Sequence, residues 1–442
     1  MFKKKKILIL GMAKSGYEAA KFLSQFDNEI IVTDGKEQDP EHVKELEDLN
    51  IKIIITDEQD KLVDESIDIM IKNPGIKYDN KAVVAAKKLN IPVINELEMA
   101  YNFLDKSVNI IGVTGSNGKT TTVTLINEIL KNAGLPVHLC GNIGTPLSSM
   151  LKEIKSNDIL VVEISDHQLC DMEKFKTNIS VLTNISKTHI DFHDSYEKYK
   201  SVKKKIFQNH TKCDIAIINY DNDEARELTL DIPSTKYYFS RNEKQKCYLK
   251  NNKIYYDDKE VIDIKEIKLK GTHNYENIMA AILVVKQFDV SNETIKQVLN
   301  NFAGVEHRIE YVTTKNGVAY YNDSKSTNNK ATMTALSSFS EPTILLMGGL
   351  DRGIPFDELK PYMNNVKTIL CFGETKEKIK DFATKNGIEC SIYDTLEQAT
   401  KVASSISNSG DIILLSPACA SWDQYKCFED RGDEFKKIVN NL

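Results

Sequence analysis

The sequence predicts an α/β protein of three domains in series, each a sheet flanked by helices. Three observations carry that reading. Short apolar, β-branched runs alternate with stretches of helical period along the whole chain. A glycine loop followed by Lys119-Thr120 closes one such run. Hydroxyl-rich and polar clusters follow several others, at the strand ends where open α/β sheets hold ligands. A chain of 442 residues accommodates three domains of roughly 150 residues each.

In the first domain, residues 1–98, strands are expected at 6–11, 29–33, 51–55, 67–71 and 91–94, a Rossmann-like parallel sheet. The run Lys3 to Lys6 precedes Ile7-Leu8-Ile9-Leu10, but Gly11 ends the apolar stretch too early for an export signal. It reads as a solvated lead into a buried strand. Gly11-Met12-Ala13-Lys14-Ser15-Gly16 has Ala where the dinucleotide fingerprint has its middle Gly, so a plain strand–helix turn is an equal reading. Asp34 ends the second strand, where a carboxylate commonly meets a ribose or base, and Lys36 follows. Asn73-Pro74-Gly75 follows the fourth strand at the same edge.

The second domain, residues 99–304, opens with Val108 to Val113 and the loop Gly115-Ser116-Asn117-Gly118-Lys119-Thr120-Thr121. Val123, Ile126, Ile129 and Leu130 then set a helical period. Strand, glycine loop, Lys-Thr and helix together hold a nucleotide triphosphate. Loop amides and the helix N-terminus face the phosphates, the Lys reaches the β and γ oxygens, and the Thr hydroxyl ligates Mg²⁺. An ordinary phosphate loop has Gly at the position of Val113. Further strands are expected at 159–164, 179–182 and 215–219, a hairpin around Asn251-Asn252, and helices at about 274–287 and 292–301.

Glu163 ends a buried run, where a Mg²⁺-nucleotide site needs a carboxylate and where a solvated strand end also places one. His189 lies in a loop beside Asp191, as a metal ligand or as a structural His. Lys203-Lys204-Lys205 reads as a solvated helix face.

The third domain, residues 305–442, begins with an expected hairpin, strands 309–313 and 318–321 around the type I′ signal Asn316-Gly317. Strands at 343–347, 367–371, 389–393 and 411–415 follow. The clusters Asp323 to Asn328 and Ser416 to Trp422 follow apolar runs and mark a ligand edge. The net charge of −6 argues against nonspecific nucleic-acid binding. Eight scattered cysteines without a Cys-x-x-Cys pair point to a reducing cytosol and no structural zinc. No run approaches the ~20 apolar residues of a membrane span.

Taken together, T-G-S-N-G-K-T (114–120), N-I-x-x-x-H-I-D (184–191), G-T-H-N-Y-E-N (271–277), E-H-R-I-E (306–310), N-D-S-K-S-T-N (322–328) and S-P-A-C-A-S-W-D-Q-Y-K-C-F-E-D-R-G (416–432) resemble the Mur ligases, in order and over all three domains. That family's phosphate loop lacks the first Gly, so Val113 supports the resemblance. The pattern is nearest the branch that adds D-glutamate to UDP-N-acetylmuramoyl-L-alanine. The resemblance implies an ATP-dependent amide ligase working through an acyl phosphate, with two Mg²⁺ ions that Mn²⁺ can replace. It further implies a cytoplasmic monomer without nucleic-acid binding or membrane insertion.

The resemblance also implies roles. Lys14, Ser15, Asp34, Lys36, Asn73, Gly75, Asn142, Ser165 and Gln168 match positions around the UDP-linked substrate. Gly115, Ser116, Asn117, Gly118, Lys119, Thr120, Thr121, Asn274, Asn277, Arg308 and Asp323 match ATP contacts. Thr120, Glu163, His189 and Lys203 match the metal ligands, Lys203 as a carbamate, and Lys119, Glu163, His189 and Lys203 the catalytic set. Lys325, Thr327, Arg352, Ser421, Trp422 and Phe428 match positions near the incoming glutamate.

Two departures stand out: Ser165-Asp166-His167-Gln168 where the family commonly has Ser-Ser-Phe-Gln, and Trp422 where some members have Leu. Other readings stand beside the ligase: a dehydrogenase using the first domain for NAD, and a nucleotide-hydrolysing switch. Within the ligases there are a sister adding another amino acid and a folylpolyglutamate synthase.

Overall fold

The computed structural model describes residues 2–187, 190–269 and 271–442. The chain divides into two compact units, Met1–Ile264 with Tyr275–Val298, and Lys265–Asn274 with Leu299–Leu442.

The first unit holds two sheets. The first comprises β1 (Lys6–Leu10), β2 (Glu29–Asp34), β3 (Lys52–Ile55), β4 (Ile69–Lys72) and β5 (Val93–Ile94), in the order β3-β2-β1-β4-β5. All its pairings are parallel. Ile7, Leu8, Ile9 and Leu10 are fully buried, as a strand covered by helices on both faces requires. Because β1 lies between β2 and β4, the loops after all three open on one edge and gather Lys14, Ser15, Asp34, Lys36, Asn73 and Gly75 there.

The second sheet comprises β6 (Asn109–Thr114), β7 (Val137–Gly141), β8 (Ile159–Glu163), β9 (Ile179–Leu182), β10 (Ile215–Asn219), β11 (Thr235–Ser240), β12 (Cys247–Lys250), β13 (Lys253–Tyr256) and β14 (Lys259–Asp263). Its order is β14-β13-β12-β11-β10-β9-β6-β8-β7. Two of these strands are missing from the sequence expectation. β7 is largely half-buried and ends the sheet, so its residues lack the apolar run of a central strand. β11 is Thr-Lys-Tyr-Tyr-Phe-Ser, exposed or half-buried over its first four residues. The expected hairpin at Asn251-Asn252 exists and extends into a third antiparallel strand, β14. Val113 lies within β6, paired with Glu163 and Val181 and fully buried, so a β-branched residue suits the position where other phosphate loops turn on Gly.

Buried polar contacts join the two sheets of this unit. Lys72 pairs with Asp171 at 2.9 Å, and Tyr78 donates to Asp171 at 3.1 Å. Glu98 accepts from the amides of Glu173, Lys174 and Phe175 at 3.2, 2.8 and 2.9 Å. Glu96 accepts from the amide of Ser148 at 2.5 Å, and burial pushes its carboxyl from the ordinary 4.5 up to about 7. With the folded value above the unfolded one, this group's contribution to stability is fully present below pH 4.5 and is lost as the pH rises through 7. Glu96→Gln keeps an acceptor oxygen and removes the charge. The variant is therefore expected to gain about 1–3 kcal/mol on the wild type between pH 5 and pH 8 in urea unfolding. A gap independent of pH would contradict this.

The second unit holds β15 (Glu310–Lys315), β16 (Val318–Asn322), β17 (Thr343–Gly348), β18 (Val366–Phe372), β19 (Glu389–Ile392) and β20 (Ile412–Leu415), in the order β15-β16-β20-β17-β18-β19. β15 and β16 are the antiparallel hairpin, and Asn316 and Gly317 turn with φ of 51° and 78°, as a type I′ turn requires. The remaining pairings are parallel, so the ends of β16, β20 and β17 lie side by side. That edge carries Asp323 to Asn328, Ser416 to Trp422 and Gly349 to Arg352. No helix among the described residues is long and apolar enough to cross a membrane.

Candidate active site

The phosphate loop runs from the end of β6 to the helix Lys119–Asn132. Gly115 has φ 146°, and a Cβ there would come within 2.0 Å of Thr183 Oγ1. Gly118 caps the helix in the left-handed region at φ 80°. The segment after β9 holds the loop in shape. The Ser116 amide donates to the Asn184 carbonyl at 2.9 Å, the Asn117 amide to Asn184 Oδ1 at 3.0 Å, and Thr183 Oγ1 to the Asn117 carbonyl at 2.6 Å. Lys119 Nζ lies 2.7 and 2.9 Å from the carbonyls of Gly115 and Ser116. Thr121 is buried in the first turn of the helix. Asn277 meets the loop from the helix Thr272–Val285, its Oδ1 3.4 Å from Thr122 Oγ1.

Glu163 is the centre of the arrangement. It ends β8, next to β6, and is 2% exposed. Thr120 Oγ1 donates to its Oε2 at 2.7 Å, and Asn142 Nδ2, from the loop after β7, donates to its Oε1 at 2.8 Å. A buried carboxylate with a Thr hydroxyl against it is an oxygen donor set suited to a hard divalent cation.

Lys203 corrects the reading of the lysine run. Lys204 points outward to Asp231 at 2.6 Å and Lys205 reaches the Cys170 carbonyl, but Lys203 is fully buried. Its Nζ donates to Thr114 Oγ1 and to the Gly115 carbonyl, each at 3.1 Å, and lies 3.5 Å from Asp166 Oδ1. Burial, and then the neighbouring Lys119 charge, bring its pKa from 10.5 down to about 7. His189 lies outside the described residues.

At the edge of the first sheet, Asp34 organises its own surroundings: Oδ2 accepts from the Met12 amide at 2.8 Å and Oδ1 from the Lys36 amide at 3.1 Å. Asn73 Oδ1 accepts from the Gly75 amide at 3.0 Å and its Nδ2 lies 3.4 Å from Ser15 Oγ. Lys14 Nζ donates to the Gly144 carbonyl at 2.9 Å, beside Asn142. Ser165 and Gln168 form a capping box at the helix Asp166–Cys170.

In the second unit, Asp323 is buried, accepting from the Ile309 amide at 3.1 Å and from Ser416 Oγ at 2.7 Å. Burial pushes its carboxyl up to about 6. Arg308 lies in the turn that donates to the Val305 carbonyl, and Asn274 at the first turn of the helix Thr272–Val285. Lys325 Nζ sits 5.4 Å from the Phe428 ring centre, and the Arg352 guanidinium 4.9 Å from that of Trp422, which is 64% exposed. Ser421 is buried and Thr327 half-buried.

Sequence reasoning passed over Arg431. Its guanidinium is fully buried and donates to Ser324 Oγ, and to the carbonyls of Ser324, Cys419 and Gly348, at 3.0, 2.9, 3.1 and 3.3 Å. One side chain thus pins the loops after β16, β17 and β20. An Arg inside an otherwise helical, charged segment was the available signal.

The comparisons with known proteins agree with this architecture. Residues 5–95 match the Mur ligase MurD-like N-terminal domain, residues 113–285 the Mur ligase middle domain, and residues 307–419 the Mur ligase glutamate ligase domain. The whole chain aligns at 44% identity with 98% of the UDP-N-acetylmuramoylalanine–D-glutamate ligase of Geobacillus kaustophilus. The chain belongs to the Mur ligase family. A second Mur ligase of that name, from Bacillus thuringiensis strain Al Hakam, is 43% identical over the full chain and 98% of its own length. The crystal structure of the Mur ligase MurC, UDP-N-acetylmuramate-alanine ligase of Thermotoga maritima, shares the fold at TM-score 0.62 and 18% identity, over 99% of each chain. MurF of the same organism, solved in complex with ADP, does so at TM-score 0.57 and 16% identity, over 95% of this chain and 97% of its own.

Proposed function

We propose that this Mur ligase joins D-glutamate to UDP-N-acetylmuramoyl-L-alanine, driven by ATP, in the cytoplasmic stage of peptidoglycan synthesis. The observation that carries the reading is the convergence of Thr120 and Asn142 on buried Glu163, beside the Lys119 loop. The names of the full-length relatives supply the substrates.

A carboxylate resists attack by an amine because its leaving group is oxide. Transfer of a phosphoryl group from ATP makes the acid an acyl phosphate; the amine then forms the C–N bond and phosphate departs. Bringing a carboxylate to a triphosphate assembles negative charge, which the Lys119 ammonium and the N-terminus of the helix Lys119–Asn132 offset. Two Mg²⁺ ions, held by Thr120, Glu163, His189 and Lys203 as its carbamate, supply further charge neutralisation when bound. Asn142 reaches from the Glu163 side toward the muramoyl substrate. Lys14, Ser15, Asp34, Lys36, Asn73 and Gly75 hold the UDP part, with Ser165 and Gln168 nearer its carboxyl end. Asn277 joins the loop on the ATP; in the second unit Asn274, Arg308 and Asp323 are the proposed nucleotide-contacting residues.

Glutamate brings carboxylates of its own, so its pocket needs cations and donors. Lys325 and Arg352 provide charge, Thr327 and Ser421 hydrogen bonds, and Phe428 and Trp422 the walls. Lys325→Ala is expected to raise the KM for D-glutamate about tenfold or more, as loss of one charge-assisted contact does, with KM for ATP nearly unchanged. An unaltered KM for glutamate in initial-rate kinetics would remove Lys325 from the pocket.

A further inference from the structure

A buried lysine that the mechanism leaves unused stands behind the loop after β4. Lys72 ends that strand, and its side chain is 0% exposed. Nζ turns back under the loop, donating to the carbonyls of Ile76, Asn73 and Pro74 at 2.8, 3.3 and 3.5 Å. Its counter-ion comes from the side of the second sheet: Asp171, 3% exposed, has Oδ2 2.9 Å from Nζ. Tyr78 donates to Asp171 Oδ1 at 3.1 Å, and its ring centre lies 5.5 Å from Nζ. Asp171 follows the helix Asp166–Cys170, its amide donating to the Gln168 carbonyl at 3.2 Å.

Two apolar side chains of the same volume often fill the place of a buried ion pair with no loss of stability. What they cannot do is gather three carbonyls of one loop onto a single donor. The loop gathered here carries Asn73 and Gly75, at the edge where β1 lies between β2 and β4. Such a switch point is where open α/β sheets take their ligands. The loop is also closely packed: a Cβ on Gly11, after β1, would come within 2.7 Å of Asn73 Cβ. We propose that Lys72, with Asp171 as its fixed counter-ion, is a positioning residue for loop 73–76, holding Asn73 and Gly75 against the UDP part of the substrate. Through Asp171 the same lysine ties that loop to the helix that Ser165 and Gln168 cap, so the two ends of the substrate site keep one spacing. This rests on the function proposed above, which gives the loop and the helix those roles.

The test uses the full chain with Lys72→Met, Asp171→Asn and the double variant Lys72→Met/Asp171→Asn. Calorimetric titration follows the binding of UDP, ADP release follows ligase turnover, and a melting curve follows folding. Lys72→Met is expected to weaken UDP binding and raise KM for UDP-N-acetylmuramoyl-L-alanine about tenfold or more, with KM for ATP and D-glutamate changed less than about threefold. It also leaves Asp171 buried without its cation, so the melting temperature falls. Asp171→Asn weakens UDP binding less, because the loop carbonyls keep their donor. The double variant removes the stranded charge and recovers part of the lost melting temperature. Its UDP affinity stays as low as that of Lys72→Met, because Asp171 acts through the lysine. A lysine that only joined the two sheets would not separate stability from affinity in this way.

Wild-type UDP affinity in a folded Lys72→Met, affinity that returns with the melting temperature in the double variant, or an equal rise in KM for ATP would overturn the proposal. Should Lys72→Met fail to fold, the double variant carries the test: weakened UDP binding supports the role and wild-type binding overturns it. If the wild type binds UDP and loses it on these substitutions, yet shows no turnover with D-glutamate, the positioning role stands and the assigned reaction falls. A wild type that binds neither UDP nor the UDP-linked acid overturns both.

Discussion

Lys119→Ala is expected to lower substrate-dependent ADP release by about 10²–10³-fold while the protein stays folded. Nζ folds back onto the carbonyls of Gly115 and Ser116, so it already stands over the loop that would cradle phosphates. The Gly115 carbonyl keeps its second donor, Lys203 Nζ at 3.1 Å, and Ser116 is only half-buried, so truncation leaves the core intact. What is lost is a preorganised positive charge where negative charge gathers during phosphoryl transfer. Initial rates with a melting curve check this. Near-normal turnover in a folded variant would sink the phosphate-loop assignment.

Lys203→Ala is expected to be comparably damaging, and in a different way. The function proposed for Lys203 needs a neutral amine. Its nitrogen lone pair attacks the carbon of CO₂, an N–C bond forms, a proton leaves, and a cation becomes an anion. An ordinary lysine near 10.5 would be almost entirely protonated at neutral pH, whereas burial brings Lys203 to about 7. Because its folded value is depressed, carbamate formation should fall as the pH drops below about 7. Lys203→Ala should lose activity about 10²-fold or more, on the scale of one electrostatic contact, and acetate or formate should restore part of it by entering the vacated space. Lys203→Arg should fail too, since a guanidinium keeps the charge and cannot add CO₂. A fully active Lys203→Arg would show that the cation was what mattered.

Much of this was legible in the sequence for an identifiable reason. Strands covered on both faces, such as Ile159–Glu163 and Ile412–Leu415, are unbroken apolar runs, and the residues just past them fall at the ligand edge by topology. Val137–Gly141 and Thr235–Ser240 escaped because half-buried strands mix polar and apolar residues without clean alternation. Composition cannot sort three consecutive lysines. Only the helix phase and the packing of Tyr199 and Val202 turn Lys203 inward and leave Lys204 in solvent. The approach of His193 to Asp166, 27 residues away, and of Arg431 to loops about a hundred residues earlier, depends on tertiary contacts that no local pattern encodes.

The central claim is tested most directly by measuring ADP release with ATP, Mg²⁺ and UDP-N-acetylmuramoyl-L-alanine against a panel of amino acids that includes both glutamate enantiomers. Release that requires the UDP-linked acid together with D-glutamate, and that L-glutamate and the others do not support, is the predicted result. Hydrolysis of ATP indifferent to both substrates, or turnover with a different amino acid in place of D-glutamate, would contradict it.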